Sequence, residues 1–189
     1  MWDDYYSWQP TIQLQNHIIL SGFYGTPSAQ TARFINALSG IACIDFERIL
    51  EHKLSARLSR WAENNPLSAL ESEESALLTQ TCQNSPPSLI LLPAHTLFHP
   101  SIQQTILQKN LQGIIITRSR AAIWNSLQKL WESTPDRFLN IQKGTDLDEI
   151  HQYYLRWLSQ CPKSWIRQPM QTETALEIAK RIITQLSET

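Results

Sequence analysis

The sequence is poor in charge and has no long apolar run. Charged residues make up 17% of the 189 residues, and the net charge is −1 with both signs mixed along the chain. A surface of this kind lacks the basic footprint that nucleic-acid binding requires. No apolar run approaches the roughly 20 residues of a membrane helix. Neither nucleic acid nor a membrane is expected as a partner.

Cysteine is also scarce. Cys43, Cys82 and Cys161 are odd in number and widely spaced, and no pair has the spacing of a metal or redox motif. Reduced thiols in a cytoplasmic protein are therefore expected. The first six residues are acidic and aromatic, which is unlike a signal or transit peptide.

Strand and helix patterns alternate along the chain. Short apolar runs predict buried parallel strands at 17–21, 41–44, 88–92, 113–117 and 164–167. Helical spacing predicts helices at 28–38, 46–62, 66–82, 101–110, 121–131, 148–160 and 172–186. Ser28 or Thr26 is expected to cap the first helix. The order predicts an α/β fold, a parallel sheet of about five strands with helices on both faces.

The length suits one compact domain. We expect an aromatic N-terminal arm over 1–16 and a single domain over 17–189. The segment 133–147 contains Pro135 and Gly144 and is predicted to be a lid-like loop. Ligands of parallel sheets bind beyond the carboxyl ends of the strands, so the segments after the predicted strands are the ones to inspect.

Those segments resemble the shikimate kinase family, which has the P-loop, nucleoside-monophosphate-kinase-like fold. The resemblance rests on four stretches in the right order and spacing, 18–33, 44–51, 89–95 and 113–117. It covers nearly the whole chain after the N-terminal arm. It implies a P-loop kinase-like three-layer sandwich and, in an intact member, phosphate transfer from ATP to a small acid.

The phosphate-binding loop departs from the pattern G-x-x-x-x-G-K-[ST]. Under the resemblance, Gly22 opens the loop and Gly25 stands at an additional glycine of the family. Pro27, Ser28 and Ala29 stand where the second glycine, the lysine and the Mg²⁺-binding hydroxyl residue are expected. Proline lacks an N–H and has a fixed φ. Loss of the lysine alone is expected to reduce the rate roughly 10²-fold or more. The loop is therefore predicted to be degenerate.

The acceptor side is altered as well. The family's Asp-x-Asp motif falls on Asp45 and Glu47, and the second side chain is one methylene longer than aspartate. Asp45 is explained equally well as a relic of a metal-proximal carboxylate or as a helix N-cap. The arginine that binds the substrate carboxylate in the family falls on Ser68. Part of the cation fork that such an acid needs is therefore missing.

Three further acceptor-side positions differ from the family. Its triple glycine falls on 93–95, Pro-Ala-His, which ends at His95. A later substrate arginine falls near Tyr154, with Arg156 two residues on. Arg137 stands near a lid arginine of the family. The resemblance thus implies that the chain binds neither ATP nor shikimate in the family's manner.

Two other features are considered as sites. His95 and His99 stand four residues apart, but Pro93 and Pro100 bracket them, so we expect a loop and no metal site. The chain has seven tryptophans, which we expect mainly in the core. Trp157 and those of the N-terminal arm are the alternative candidates for a Trp-rich surface that binds a protein partner.

Two functions from different classes fit these observations. The first is a pseudokinase, a non-catalytic binding, sensing or protein-interaction module that needs no cofactor. The alternative is a divergent but active small-molecule kinase that uses ATP and Mg²⁺ and takes its cation from elsewhere in the chain. A third option keeps the backbone amides after Gly22 as a site for a small acid or free phosphate.

Overall fold

The structure is a computed structural model that describes residues 12–133 and 145–188, without the side chains of 130–133. The strands are β1 (Ile18–Gly22), β2 (Cys43–Asp45), β3 (Leu89–Leu92), β4 (Gln112–Arg118) and β5 (Ile166–Met170). The helices are α1 (Ser28–Ser39), α2 (Phe46–Leu54), α3 (Leu58–Asn64), α4 (Leu67–Asn84), α5 (Pro100–Gln108), α6 (Arg120–Ser133), α7 (Leu147–Gln160) and α8 (Ala175–Ser187). A 3-10 helix, His95–Phe98, lies between β3 and α5. Most of the predicted arm and of the lid-like loop lies outside the described residues.

The five strands form one parallel sheet in the order β2-β3-β1-β4-β5. β1 is central, so Ile19 pairs with Ile90 of β3 and with Gly113 of β4. The connection leaving β1 runs towards β2, whereas the connection leaving β4 runs towards β5. The chain therefore switches direction between β1 and β4. The loop after β1 lies where ligands of such sheets bind.

Helices cover both faces of the sheet, which confirms the predicted three-layer α/β fold. Ile19 and Leu20 are neighbours on β1 whose side chains point to opposite faces. Leu20 packs in a cluster with Ile35 of α1 and Ile182 of α8. Ile19 packs in a larger cluster to which helices α2 to α7 contribute. Because both faces are buried, the strands are continuous apolar runs rather than alternating ones.

The predicted helix over 46–62 is wrong, because the chain breaks after α2. Ser55 takes a left-handed φ of 52° and its N–H caps the end of α2. The Glu51 carboxylate then accepts a hydrogen bond from the Leu58 N–H at 3.1 Å, at the start of α3. This hydrogen bond connects the end of α2 to the start of α3, and the apolar spacing does not reveal it.

The last strand lies two residues later than predicted. Trp165 does not join β5, since its N–H donates to the Pro162 carbonyl in a turn. Its indole packs flat on Gly113, where an added Cβ would lie 2.3 Å from the nearest ring atom. β5 instead contains Pro169, a residue that a strand tolerates at a sheet edge.

None of the helices within the described ranges has the length and apolar character of a membrane span. The longest of them, α4, has 18 residues, and polar side chains alternate with apolar ones along it.

Candidate functional site

A tight turn closes the loop after β1. The Thr26 N–H donates to the Phe23 carbonyl at 3.0 Å, and Gly25 takes a left-handed φ of 78°. A Cβ on Gly25 would also lie 2.7 Å from the Cβ of Ser126 on α6. Turn geometry and close packing each favour glycine here. Gly25 is therefore explained without a bound phosphate.

Two hydroxyl groups face Gly22 across this loop. Thr26 Oγ1 donates to the Phe23 carbonyl oxygen at 2.7 Å and lies 2.8 Å from Ser28 Oγ. A Cβ on Gly22 would lie only 2.2 and 2.3 Å from these two oxygens. The two hydroxyls lie where a side chain on residue 22 would stand, so the packing of the loop itself favours glycine there.

Helix α1 begins without a side-chain cap. Pro27 is its N-cap residue, and no side chain accepts from the first turn. The predicted capping by Thr26 or Ser28 is wrong, because their hydroxyls bond each other. Ser28, at the position of the expected lysine, is 8% exposed. Ala29, at the position of the Mg²⁺-binding hydroxyl, is exposed.

Arg118, the last residue of β4, is a cation that contacts the loop. Its Nη1 donates to the Gly25 carbonyl oxygen at 3.0 Å and to Ser126 Oγ at 2.7 Å. Burial lowers the pKa of the guanidinium, and its Nε is buried without a hydrogen-bond partner. Sequence reasoning missed Arg118. The available signal was its place at the carboxyl end of a strand that neighbours β1.

We expect an Arg118→Ala variant to lose about 1–2 kcal/mol of the free energy of unfolding, because two hydrogen bonds from a charged donor are removed. Urea titration followed by tryptophan fluorescence measures this loss. Arg33→Ala on the exposed side of α1 is the matched control, with a change within about 0.5 kcal/mol. Equal losses in the two variants would show that the contacts of Arg118 do not stabilise the loop.

An open cavity of about 530 Å³ lies beside the loop. Gly25 and Pro27 border it on the loop side, and Arg118 borders it from β4. Its remaining walls are mostly apolar and come from Gln30, Phe34, Met170, Thr174, Ala175 and Leu176. This volume is within the range of roughly 300–1,000 Å³ that small-molecule sites show.

The predicted acceptor-side residues take separate roles. Asp45 Oδ1 accepts from the Arg48 N–H at 3.2 Å, so this carboxylate is the N-cap of α2. Glu47 follows in the first turn, where the helix dipole favours a negative charge. Ser68 is exposed at the start of α4. Arg137 lies outside the described residues.

A buried carboxylate, Glu74 of α4, holds the segment after β3. Glu74 is 0% exposed. His95 Nε2 lies 2.9 Å from its Oε1, and Thr96 Oγ1 donates to the same oxygen at 3.0 Å. His99 Nδ1 lies 2.6 Å from Oε2, an ion-pair contact without the angle of a hydrogen bond. The predicted loop is thus a 3-10 helix fixed on α4, with His99 as the N-cap residue of α5.

The surroundings of this cluster favour the charged carboxylate of Glu74 and the charged imidazole of His99. Burial raises the pKa of Glu74, but the contacts of its carboxylate with His95 and His99 outweigh this effect and hold the pKa well below the ordinary value. Burial lowers the pKa of His99, and the Glu74 carboxylate more than reverses this, so the net pKa is raised. Nitrogen and oxygen lie 2.6–2.9 Å apart in these pairs, which are direct contacts between the side chains. No group of three metal ligands occurs among the described residues.

Tyr154, near the position of a substrate arginine in the family, belongs to the core. It is 6% exposed, and its ring lies 5.2 Å from that of Phe23 and 6.0 Å from that of Trp157. Burial raises the pKa of its hydroxyl. Arg156 is exposed and lies over the Tyr153 ring at 5.5 Å. These aromatic contacts connect the loop after β1, through Phe23, to helix α7.

Solved structures give the same arrangement of strands and helices. The shikimate kinase of Acinetobacter baumannii in complex with shikimate matches with a TM-score of 0.77 at 13% identity, over 94% of this chain and 96% of its own. The chain has the shikimate-kinase fold. The shikimate kinase of Aquifex aeolicus matches with a TM-score of 0.67 at 13% identity, over 91% and 96%. A gluconokinase of Sinorhizobium meliloti matches with a TM-score of 0.56 at 10% identity, over 93% and 94%.

Similarity is confined to structure. No family model matches the sequence, and no curated protein matches it either. Identities of 10–13% establish the shikimate-kinase fold without establishing an activity.

The shikimate-kinase fold brings only part of the predicted site together. Gly22, Gly25, Pro27 and Ser28 form one loop, to which the fold adds Arg118. The acceptor-side residues are distributed over the starts of α2 and α4, the connection after β3 and the buried face of α7. The members of this second group are Asp45, Glu47, Ser68, His95 and Tyr154.

The tryptophans described in this shikimate-kinase fold pack inside it. Trp157 and Trp165 are 0% and 3% exposed, and Trp61 and Trp124 are half-buried against the larger core cluster. Trp157 is therefore not available as a surface anchor for a partner. The tryptophans with side chains outside the described residues are Trp2, Trp8 and Trp131.

Proposed function

We propose that this protein is a pseudokinase, a shikimate-kinase-fold module that binds a ligand or partner without transferring phosphate from ATP. The proposal accounts for the loop after β1 and for the acceptor side together, since neither keeps the residues that a kinase of this fold requires. It assigns no metal or nucleotide cofactor to the chain.

The loop geometry is the observation that carries the proposal. Phosphate transfer needs a cation on the transferred group and a ligand for Mg²⁺. Ser28 and Ala29 supply neither, and Pro27 contributes no N–H. The hydroxyls of Thr26 and Ser28 bond each other within the loop, and Thr26 also donates to the Phe23 carbonyl. These two hydroxyls are therefore already engaged within the protein.

The cavity beside the loop supports a binding role. It is open, mostly apolar and of suitable volume, and Arg118 contributes a positive charge to its wall. Nη1 of Arg118 already donates to Gly25 and Ser126. A ligand would therefore contact the rest of the guanidinium. A small acid or a phosphate attached to an apolar group matches this combination.

An active, divergent small-molecule kinase remains the second candidate, and Arg118 is the observation that favours it. An arginine from β4 stands beside the loop and could take over the role of the missing lysine. It would first have to release the Gly25 carbonyl and Ser126, and a different residue would have to hold Mg²⁺. Under this alternative, Arg118→Ala abolishes ATP binding.

Titration with Mg·ATP separates the two candidates. We expect the melting temperature of the wild-type protein to stay constant up to millimolar Mg·ATP. Ligand at about 100 times its Kd adds about 2.7 kcal/mol of stability, which corresponds to several degrees in a chain of this size. Micromolar binding therefore gives a clear shift, and a saturable shift that Arg118→Ala removes would overturn the pseudokinase proposal.

The positive control is the loop repaired at three positions, Pro27→Gly, Ser28→Lys and Ala29→Ser. If the loop alone prevents binding, this variant gains a Mg·ATP-dependent shift that the wild-type protein lacks. Shikimate, quinate and inorganic phosphate are titrated in parallel. A shift with one of them but not with ATP identifies a ligand sensor, and constancy with all of them points to a protein partner.

A further inference from the structure

Ionisable side chains fasten the connection between β3 and α5 to α4. Glu74 binds His95, Thr96 and His99 from the buried side. One turn earlier, Glu71 accepts from both the N–H and the hydroxyl of Ser101 at the start of α5. The sequence resemblance places a triple glycine where this connection begins, and no carboxylate–histidine cluster was expected there. The cluster has no role in the proposed function.

We propose that Glu74, His95 and His99 form a proton-operated latch. When His99 is protonated, the imidazolium and the Glu74 carboxylate hold residues 93–99 on α4. When His99 loses its proton, the connection is released from α4. The latch is independent of whether the protein binds a nucleotide.

Burial makes the latch sensitive to a single proton. Glu74 is fully buried, and the His99 side chain is 16% exposed. A buried carboxylate that loses its positive partner is unfavourable unless it takes up a proton or reaches water. Reaching water requires residues 93–99 to move, since they cover Glu74 on that side.

Few other charges act on the pair. Glu71, like Glu74, favours the protonated form of His99. Helix α5 carries no titratable side chain over Pro100–Gln108. On α2, Lys53 is paired with Glu73 at 2.7 Å, on the exposed part of α4. Helix α7 packs on the 3-10 helix. Its titratable side chains are Asp148, Glu149, His151, Tyr153, Tyr154 and Arg156.

The pH range of the latch follows from the direction of each shift. The pKa of His99 is raised above its ordinary 6.5, so its contribution is complete below 6.5 and is lost as the pH rises through the folded-state pKa. The pKa of Glu74 is lowered below its ordinary 4.5, so its contribution is complete above 4.5 and is lost only in stronger acid. The latch is therefore closed between about pH 4.5 and pH 6.5, and it opens towards alkaline pH.

Opening alters the site because of where the connection lies. Residues 93–99 follow the carboxyl end of β3. Ser21 Oγ of β1 donates to the Leu92 carbonyl at 2.8 Å, and this hydrogen bond connects the end of β3 to β1. β1 ends one residue later, at Gly22, and its loop follows. Movement of residues 93–99 thus changes the shape of the edge of the sheet at which ligands of this fold class bind.

Hydrogen exchange tests the latch directly. The backbone amides of residues 94–99 are compared at about pH 5.5 and about pH 8.5, on either side of the histidine range, after correction for the intrinsic exchange rate. We expect their protection to fall about tenfold or more at the higher pH, while amides of β1 and β4 keep theirs. Equal protection at both pH values would overturn the proposal.

Variants assign the effect to the cluster. In the variants Glu74→Gln and His99→Gln, the protection of the connection should be the same at both pH values. In the variant Glu73→Gln, one residue away, protection should still fall at the higher pH. A Glu74→Gln protein with the wild-type pH dependence would exclude the latch. Should Glu74→Gln fail to fold, NMR titration of the imidazole nitrogens in the wild-type protein decides: a His99 pKa at or below 6.5 contradicts the proposal.

Discussion

A Glu74→Ala variant is expected to lose about 3–5 kcal/mol of the free energy of unfolding, a large part of the stability of an ordinary domain. The carboxylate is fully buried and has three partners, His95, Thr96 and His99. Alanine removes the charge that compensates the half-buried His99 imidazolium and leaves the Thr96 hydroxyl without its acceptor. Urea unfolding at about pH 6, where both His99 and Glu74 are expected to be charged, measures the loss.

Glu73→Ala is a matched control on the same helix. Glu73 pairs with Lys53 at 2.7 Å, but their side chains are 39% and 41% exposed. Exposed pairs contribute about 0–1 kcal/mol, so the two substitutions should differ by about 2 kcal/mol or more. Similar losses would mean that water reaches Glu74 and that the cluster is not the buried one described above.

The existence of all five strands was predictable from sequence, because a sheet buried on both faces demands continuous apolar runs. The runs around Ile90 and Ile115 are bounded by turn residues, which fixes their position to within a residue or two. The alternation with helices then predicts a parallel sheet. The last strand was misplaced because Trp165 has a high strand propensity, yet its indole is needed over Gly113.

The partners of the site residues were much less predictable. Gly22, Pro27 and Ser28 were located through their distance from β1, a local relationship along the chain. Arg118 reaches the Gly25 carbonyl across 93 positions of sequence, and Glu74 reaches His95 across 21. Contacts of this kind depend on how helices pack on the sheet, about which apolar spacing carries no information.

Asp45 shows the limit of assigning a role by pattern. Its place after a strand fits a metal-proximal carboxylate and a helix cap equally well, because both need an acidic residue at that position. The hydrogen bond from the Arg48 N–H gives it the capping role. The same holds for Gly25, which the turn requires whether or not a phosphate binds.

A Trp157→Ala variant should lose about 3–5 kcal/mol of stability, because truncation of a buried tryptophan leaves a large cavity. Trp157 is 0% exposed and lies 5.7 Å from the Phe23 ring and 6.0 Å from the Tyr154 ring. Leu155→Ala, on the same helix and 44% exposed, should change stability by about 0.5 kcal/mol or less. Thermal or urea unfolding distinguishes the two without any knowledge of a partner.

Trp157→Phe separates lost volume from the indole N–H. Among the described residues, Trp157 Nε1 is buried and has no hydrogen-bond partner, which is unfavourable for a polar group. Phenylalanine removes that N–H while it retains most of the contact with Phe23, so the loss should be at most about 2 kcal/mol. A loss equal to that of alanine would mean that the N–H is bonded in solution. A small loss would mean that ring packing, including the contact with Phe23, holds Trp157 in place and that its N–H contributes little.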